Sequence, residues 1–132
     1  MEARRASISE AELEVLKVLW ENDSGTVRTL HDQLQRQGRR WAYTTVLTHL
    51  QRLEAKGNVA SDKSGVAHVF RPALTRDKLL RQRLKDQANK LCEGTATPLV
   101  LALVEAQRFT PEEIDHFRLL LDQLETKKSP RP

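Results

Sequence analysis

Several features that are common in secreted and membrane proteins are missing from the sequence. Its single cysteine, Cys92, rules out an intrachain disulfide. The longest uninterrupted apolar run, Leu99 to Val104, is far shorter than the roughly 20 residues that a membrane-spanning helix needs. No apolar signal-peptide core follows Arg4 and Arg5. These absences predict a cytoplasmic protein without membrane insertion.

Constellations of catalytic or metal-binding residues are also missing. The histidines His31, His49, His68 and His116 fall on different predicted elements, and none has the spacing of a metal site. The sequence has neither a glycine-rich phosphate loop nor a Gly-x-Ser-x-Gly motif. Its 132 residues allow about one domain, with little chain to support a buried active site. We therefore predict no enzymatic activity, no metal and no cofactor.

The positive charge is concentrated in one stretch of the chain. The whole sequence has a formal net charge of +4, and the segment from Arg28 to Lys56 holds six basic residues against two acidic ones. Such a cluster is compatible with nucleic acid or another anionic surface. A solvated charged face explains it about equally well.

Hydrophobic periodicity predicts three helices in the first half of the chain. Ser9 and Glu12 have the spacing of a capping box, which begins a first helix that should end in the turn cluster 22–25. A second helix is predicted from the N-cap Thr26 to about Gln37. A third is predicted over residues 43–56.

A β-hairpin is predicted after the third helix, because the hydrophobic period changes to two after Gly57. Val59 opens a short strand, residues 62–65 resemble a turn, and residues 66–71 are predicted to return as the second strand. Three helices followed by a hairpin is the order of a winged helix-turn-helix, in which the third helix enters the major groove of DNA. We therefore predict a mainly α fold with an N-terminal winged helix over residues 8–74.

The third predicted helix has two different edges. Val46, Leu50 and Leu53 form an apolar edge, and short polar side chains occupy the opposite one. Threonine can bond to phosphate or base, and arginine can bind guanine through two hydrogen bonds. A lysine in the hairpin suits a phosphate contact. The residues predicted to contact DNA are Arg40, Tyr43, Thr44, Thr45, Thr48, His49, Arg52 and, in the wing, Lys63. A solvated helix face is the competing interpretation.

Residues 75–125 are predicted to form a three-helix dimerisation region. The first helix is highly charged, the second (residues 99–106) is apolar nearly all round and should therefore be buried, and the third follows a capping box at Thr110 and Glu113. The predicted dimerisation residues are Leu80, Leu84, Leu99, Leu101, Leu103, Ile114, Phe117, Leu121 and Leu124. Residues 1–7 are predicted to be a flexible arm and residues 126–132 a flexible tail.

Three segments resemble the penicillinase-repressor family, the BlaI/MecI/CopY proteins. They are ISEAELEVLKVLW at 8–20, WAYTTVLTHLQRLEAKG at 41–57 and GVAHVF at 65–70. The similarity continues through Leu99–Leu101 and Pro111–Ile114, and it covers about residues 7 to 125. The resemblance implies a homodimeric bacterial repressor that binds an inverted-repeat operator on double-stranded DNA.

The resemblance also implies how such a repressor is released. In the antibiotic-resistance branch, a membrane-embedded sensor metalloprotease leads to cleavage of the repressor in its C-terminal part. The family's cleaved bond is Asn-Phe, and the matching pair here is Ala102-Leu103, which departs from that pattern. The copper-responsive branch carries a cysteine-rich C-terminal motif, and this chain has only Cys92. The alternatives are a repressor released by a small ligand and a winged-helix module that binds protein.

Overall fold

The computed structural model describes residues 7–128, which form two compact units divided between Arg83 and Leu84. The helices are α1 (Glu10–Asn22), α2 (Val27–Arg36), α3 (Tyr43–Ala55), α4 (Arg76–Leu91), α5 (Thr97–Ala106) and α6 (Pro111–Lys128). The strands are β1 (Gly25–Thr26), β2 (Val59–Asp62) and β3 (Val69–Pro72). The predicted fold class, a mainly helical chain with an N-terminal winged helix, is confirmed.

The predicted capping box at the start of α1 is present. The Ser9 hydroxyl accepts the Glu12 backbone N–H at 3.1 Å, and the Glu12 carboxylate accepts the Ser9 N–H at 3.2 Å. The same Glu12 oxygen accepts a hydrogen bond of 2.6 Å from Lys56, which directly follows α3. This ion pair joins the beginning of α1 to the end of α3, with Glu12 buried at 3% exposure and Lys56 27% exposed.

The core of the N-terminal unit is built from the apolar faces of α1, α2 and α3. The predicted buried edge of α3 is confirmed, because its three members are fully buried. Side chains that are completely buried come from all three helices: Val15, Leu16, Leu19, Leu30, Leu34, Val46, Leu50 and Leu53. Val59 and Phe70 add apolar groups from the sheet. This packing holds one face of α3 inward and leaves the opposite face outward.

The sheet has three antiparallel strands in the order β1-β3-β2, so it is larger than the predicted hairpin. β1 was not predicted, because its two residues are too few to show a period of two. The predicted return of the second strand at Val66 is wrong. The last pair of β2 and β3 joins Asp62 to Val69, which leaves residues 63–68 as a loop. Ser64 donates two hydrogen bonds to the Asp62 carboxylate and closes the start of that loop.

The N-terminal unit continues into α4, nine residues beyond the boundary predicted at residue 74. Leu79 is 7% exposed and belongs to the same apolar core as the three helices. The Trp20 indole N–H donates to the Leu74 carbonyl at 2.8 Å, and the Arg76 guanidinium lies 5.2 Å from the centre of the Trp20 ring. The Arg83 guanidinium donates to the Ile8 carbonyl at 3.3 Å. These contacts fix the first two turns of α4 on the winged helix.

The C-terminal unit leaves much apolar surface exposed. No residue of α5 is buried in a single copy, so the predicted burial of this apolar helix is not achieved within one chain. The reason is size, because three helices of this length cannot enclose a core by themselves. The predicted capping box of α6 is present: Thr110 and Glu113 exchange hydrogen bonds of 2.8 and 3.0 Å.

The ends of the chain differ partly from their predicted form. α6 extends to Lys128, so residues 126–128 of the predicted tail are helical. The rest of that tail and residues 1–6 of the predicted arm lie outside the described residues. Within residues 7–128, no helix is both long and apolar enough to span a bilayer.

Candidate nucleic-acid interface

The outward face of α3 carries several of the side chains that the sequence assigned to DNA contact. Thr44 and Arg52 are exposed and lie opposite the buried edge of the helix. Thr45 and Thr48 are half-buried beside them. The Thr48 hydroxyl donates to the Thr44 carbonyl at 2.9 Å, so its proton is used within the helix while its lone pairs and methyl group remain available. This face can therefore offer acceptors, methyl groups and one guanidinium to a partner.

The N-terminal end of α3 is held on α2 by an imidazole. His31 forms a hydrogen bond of 2.9 Å with the Trp41 carbonyl, and its ring meets the Tyr43 ring edge-on at 5.9 Å. Ala42, the N-cap, provides no side-chain hydrogen bond, so these contacts take over the positioning of the helix start. Tyr43 itself remains 49% exposed.

The connector between α2 and α3 supplies two arginines with different environments. Arg39 forms an ion pair of 3.2 Å with Glu14 on α1. Arg40, which the sequence assigned to DNA contact, is exposed and forms no ion pair with the described residues. Gly38 has a φ of +93° at the end of α2, a conformation that glycine adopts without the strain of a side chain. Arg40 is therefore the cation of this turn that is free for a partner.

His49 lies on the flank of α3 rather than on its outward face. Its ring is half-buried and meets the Trp41 ring edge-on, with 5.3 Å between centres. Nδ1 is buried and has no hydrogen-bond partner among the described residues. Burial lowers the pKa of His49, an effect that Glu12 partly opposes and Arg52 reinforces. The structure thus separates this predicted contact residue from Thr44 and Arg52.

The wing is tied to α3 through Glu54. The Glu54 carboxylate accepts a hydrogen bond of 2.6 Å from Ser61 and lies 3.7 Å from the Lys63 ammonium. Lys63, which was predicted to contact phosphate, therefore lies at the base of the loop, and its side chain remains 57% exposed. The most exposed large apolar side chain of the wing is Val66, with a relative exposure of 107%. Sequence reasoning missed this apolar tip because it placed Val66 in a strand.

A cleft beside α3 contains a further cation. Arg28 of α2 and Tyr43 of α3 line it together with residues of the wing. Sequence reasoning counted Arg28 only as part of the basic stretch, since its neighbours are distant in sequence. Among residues 7–128, no group of side chains has the composition of a metal site.

A polar helix face held outward by a buried apolar edge, beside an antiparallel wing, defines a winged-helix transcription regulator. The penicillinase repressor family matches residues 8–123. The chain is 33% identical to the transcriptional regulator BlaI of Mycobacterium tuberculosis, over 98% of this chain and 94% of that protein. It is 29% identical to the penicillinase repressor of Bacillus licheniformis, over 92% of this chain and 94% of that one.

A solved structure resembles the N-terminal part of the chain. The solution structure of the DNA-binding domain of the repressor BlaI matches with a TM-score of 0.50 and 33% sequence identity, covering 55% of this chain and 87% of that one. The chain therefore belongs to the penicillinase repressor family, as its sequence motifs indicated. It is a DNA-binding transcription regulator with a winged helix.

Proposed function

We propose that this protein is a transcriptional repressor that binds a specific operator through the outward face of α3. The observation that carries this proposal is the fixed orientation of that helix. Val46, Leu50 and Leu53 are fully buried, so Thr44 and Arg52 must face away from the core. A helix that presents short polar side chains and an arginine can enter the major groove and bond to base edges.

Two substitutions on α3 test the operator contact. Arg52→Ala and Thr45→Ala should each weaken operator binding by about 1–3 kcal/mol, which is roughly 5- to 150-fold. Their unfolding temperatures should stay unchanged, because neither side chain is part of the core. Arg81→Ala is the matched control, since it removes an exposed arginine from α4. Gel-shift titrations on a duplex selected from random DNA give the affinities, and unchanged values for both α3 variants would contradict the proposal.

The C-terminal helices are proposed to form a homodimer. The predicted dimerisation residues of α5 and α6 are exposed in one copy, except Leu99, which is half-buried. Leu80 and Leu84 of α4 are exposed too. A second copy with the same surface would cover both sets of apolar groups at once. Two α3 helices could then occupy half-sites of an inverted repeat, about 34–36 Å apart or a multiple of that distance.

Analytical ultracentrifugation of the full chain tests this assembly. The wild type should sediment as a dimer at micromolar concentration. Leu121→Glu should sediment as a monomer and bind the operator more weakly, because Leu121 is 63% exposed on α6 and its replacement would bury a charge in the interface. Gln82→Glu adds the same charge to an exposed position of α4 and should remain a dimer. A monomeric wild type with full operator affinity would contradict the assembly.

Release by proteolysis is the proposed means of induction, with a membrane-embedded sensor metalloprotease as partner. The Ala102-Leu103 bond lies inside α5, where a protease must unwind the helix before it can cut. Cleavage there would separate α6 from the rest of the chain and divide the apolar surface. Release by a small ligand is the alternative, and it would leave the chain intact on a denaturing gel. Binding to chromosomal DNA would place the protein in the cytoplasm.

A winged helix that binds only protein is the competing function. A regulator that neutralises phosphates must lose DNA affinity steeply as salt rises. Absence of DNA binding at low salt would favour the protein-binding function. The outward Arg40 and Arg52, neither in an ion pair with the described residues, favour DNA.

A further inference from the structure

One carboxylate oxygen joins the last turn of α3 to the sheet. Oε2 of Glu54 accepts a hydrogen bond of 2.6 Å from the Ser61 hydroxyl on β2, and the Lys63 ammonium lies 3.7 Å from the same atom. The Glu54 side chain is 32% exposed, whereas the Lys63 side chain is 57% exposed. The carboxylate therefore links α3 both to β2 and to the beginning of the loop of residues 63–68.

The position of β2 depends on its contacts with α3, because β2 is an edge strand. In the order β1-β3-β2 it stands at one edge of the sheet and pairs with β3. Val59 is buried, and Ser61, two residues later, lies on the same side of the strand. Burial of Val59 fixes the beginning of β2, and the Ser61 bond holds the strand near its end at Asp62. Without that bond, the end of β2 and the loop after it could move away from α3.

The two partners of Glu54 should contribute unequally to this position. A hydrogen bond to a charged acceptor is short and roughly twice as strong as a neutral one, and the Ser61 side that donates it is half-buried. An ion pair of 3.7 Å with a mostly exposed lysine is screened by solvent and contributes little. The bond between Ser61 and Glu54 is therefore the contact that sets the position of β2 relative to α3.

The relative position of α3 and the wing matters for a protein that distinguishes base sequences. Contacts to phosphate fix the register of a protein on DNA, whereas contacts to base edges distinguish one sequence from another. Thr44 and Arg52 lie on the outward face of the helix that also carries Glu54. On the basis of the proposed function, we propose that Glu54 is a positioning residue for operator specificity, which acts through its hydrogen bond with Ser61 and not by touching DNA.

The negative charge of Glu54 has a separate effect, which makes its positioning role measurable. A carboxylate beside a DNA-binding helix repels phosphate and weakens binding to all sequences alike. Replacing Glu54 by a neutral residue should therefore raise the affinity for random DNA even when specificity is lost. A substitution that only destabilises the fold would instead lower the affinities for operator and random DNA together, since both require folded protein.

Gel-shift titrations of the full chain measure specificity as the ratio of its affinities for a selected operator duplex and a random duplex. Ser61→Ala should lower this ratio roughly fivefold or more, the loss expected from one misplaced base contact, and leave the affinity for random DNA unchanged. Glu54→Ala should lower the ratio by a similar factor and raise the affinity for random DNA. Glu54→Gln keeps an oxygen that can accept from Ser61, so its ratio should stay near that of the wild type while both affinities rise.

Two control variants and one double variant complete the experiment. Glu21→Ala removes an exposed carboxylate from α1, and Ser24→Ala removes an exposed hydroxyl from the segment before β1, so both should keep the wild-type ratio. Ser61→Ala should lower the ratio no further when it is combined with Glu54→Ala, because the two side chains act through one bond.

Three results would overturn the positioning role of Glu54. They are a wild-type ratio for Ser61→Ala, a loss of the ratio in Glu54→Gln as large as in Glu54→Ala, and additive losses in the double variant. A wild type that binds the selected operator and the random duplex with equal affinity would instead refute the proposed function, because there would be no specificity for Glu54 to support.

Discussion

Leu79 and Leu80 are neighbours on α4, yet they should differ greatly in their effect on stability. Leu79 is 7% exposed in the core of the N-terminal unit, whereas Leu80 is 54% exposed. Leu79→Ala removes three buried carbons, each worth about 0.8 kcal/mol of transfer free energy, so the free energy of unfolding should fall by about 2–3 kcal/mol. For a unit of this size the unfolding temperature should drop by roughly 8–24 °C.

Tryptophan fluorescence can measure this effect on the N-terminal unit alone. The sequence contains two tryptophans, Trp20 and Trp41, and both lie in that unit. Thermal unfolding of the full chain followed at these residues should show the large shift for Leu79→Ala. Measured at a concentration below that at which the proposed dimer forms, Leu80→Ala should stay within about 0.5 kcal/mol of the wild type, because Leu80 is exposed in a single copy. Equal shifts for the two variants would refute the conclusion that α4 belongs to the winged-helix core.

Two further predictions concern charged groups. The folded protein holds the pKa of His49 below its ordinary 6.5, so the unfolded chain binds more protons and stability should be lost as the pH falls below about 6.5. His49→Gln should lose less stability than the wild type in thermal melts between about pH 7.5 and 5.5. Equal losses for the two proteins would contradict this prediction. Lys56→Met should cost about 1.5–3 kcal/mol in urea unfolding, because it removes the charged partner of the buried Glu12. Lys17→Met breaks the more exposed pair with Glu14 and should lower the free energy of unfolding by less than about 1 kcal/mol. Similar losses for Lys56→Met and Lys17→Met would contradict the conclusion that burial strengthens the pair with Glu12.

Features that depend on local sequence could be predicted well. The capping boxes at Ser9 and Thr110 follow from two residues three positions apart, and both are present. The buried edge of α3 follows from helical spacing, and the structure buries all three of its members. Local hydrogen bonds and periodicity are set by neighbours in the chain, so the sequence contains the information directly.

Features that depend on distant pairing could not be predicted. β1 exists only because Gly25 and Thr26 pair with β3, more than forty residues away. The ion pair of Lys63 with Glu54, at 3.7 Å, joins the wing to α3, and no local pattern in the sequence indicates it. The place of Leu79 in the winged-helix core depends on the path of the chain after β3. In each case the feature depends on a tertiary contact, which the local sequence pattern does not determine.

The three-stranded sheet at the base of the wing limits which positions of the wing can accept substitutions, insertions or deletions. Pairs Gly25↔Phe70 and Asp62↔Val69 fix β3 between its two neighbours. A side chain at Gly25 would approach Leu30 to 3.1 Å, so this end tolerates little change. Residues 63–68 lie beyond the last pair and belong to no ladder. Insertions or deletions there would alter the length of the loop and keep the strand register. The extent of the wing can therefore change during evolution while the fold stays the same.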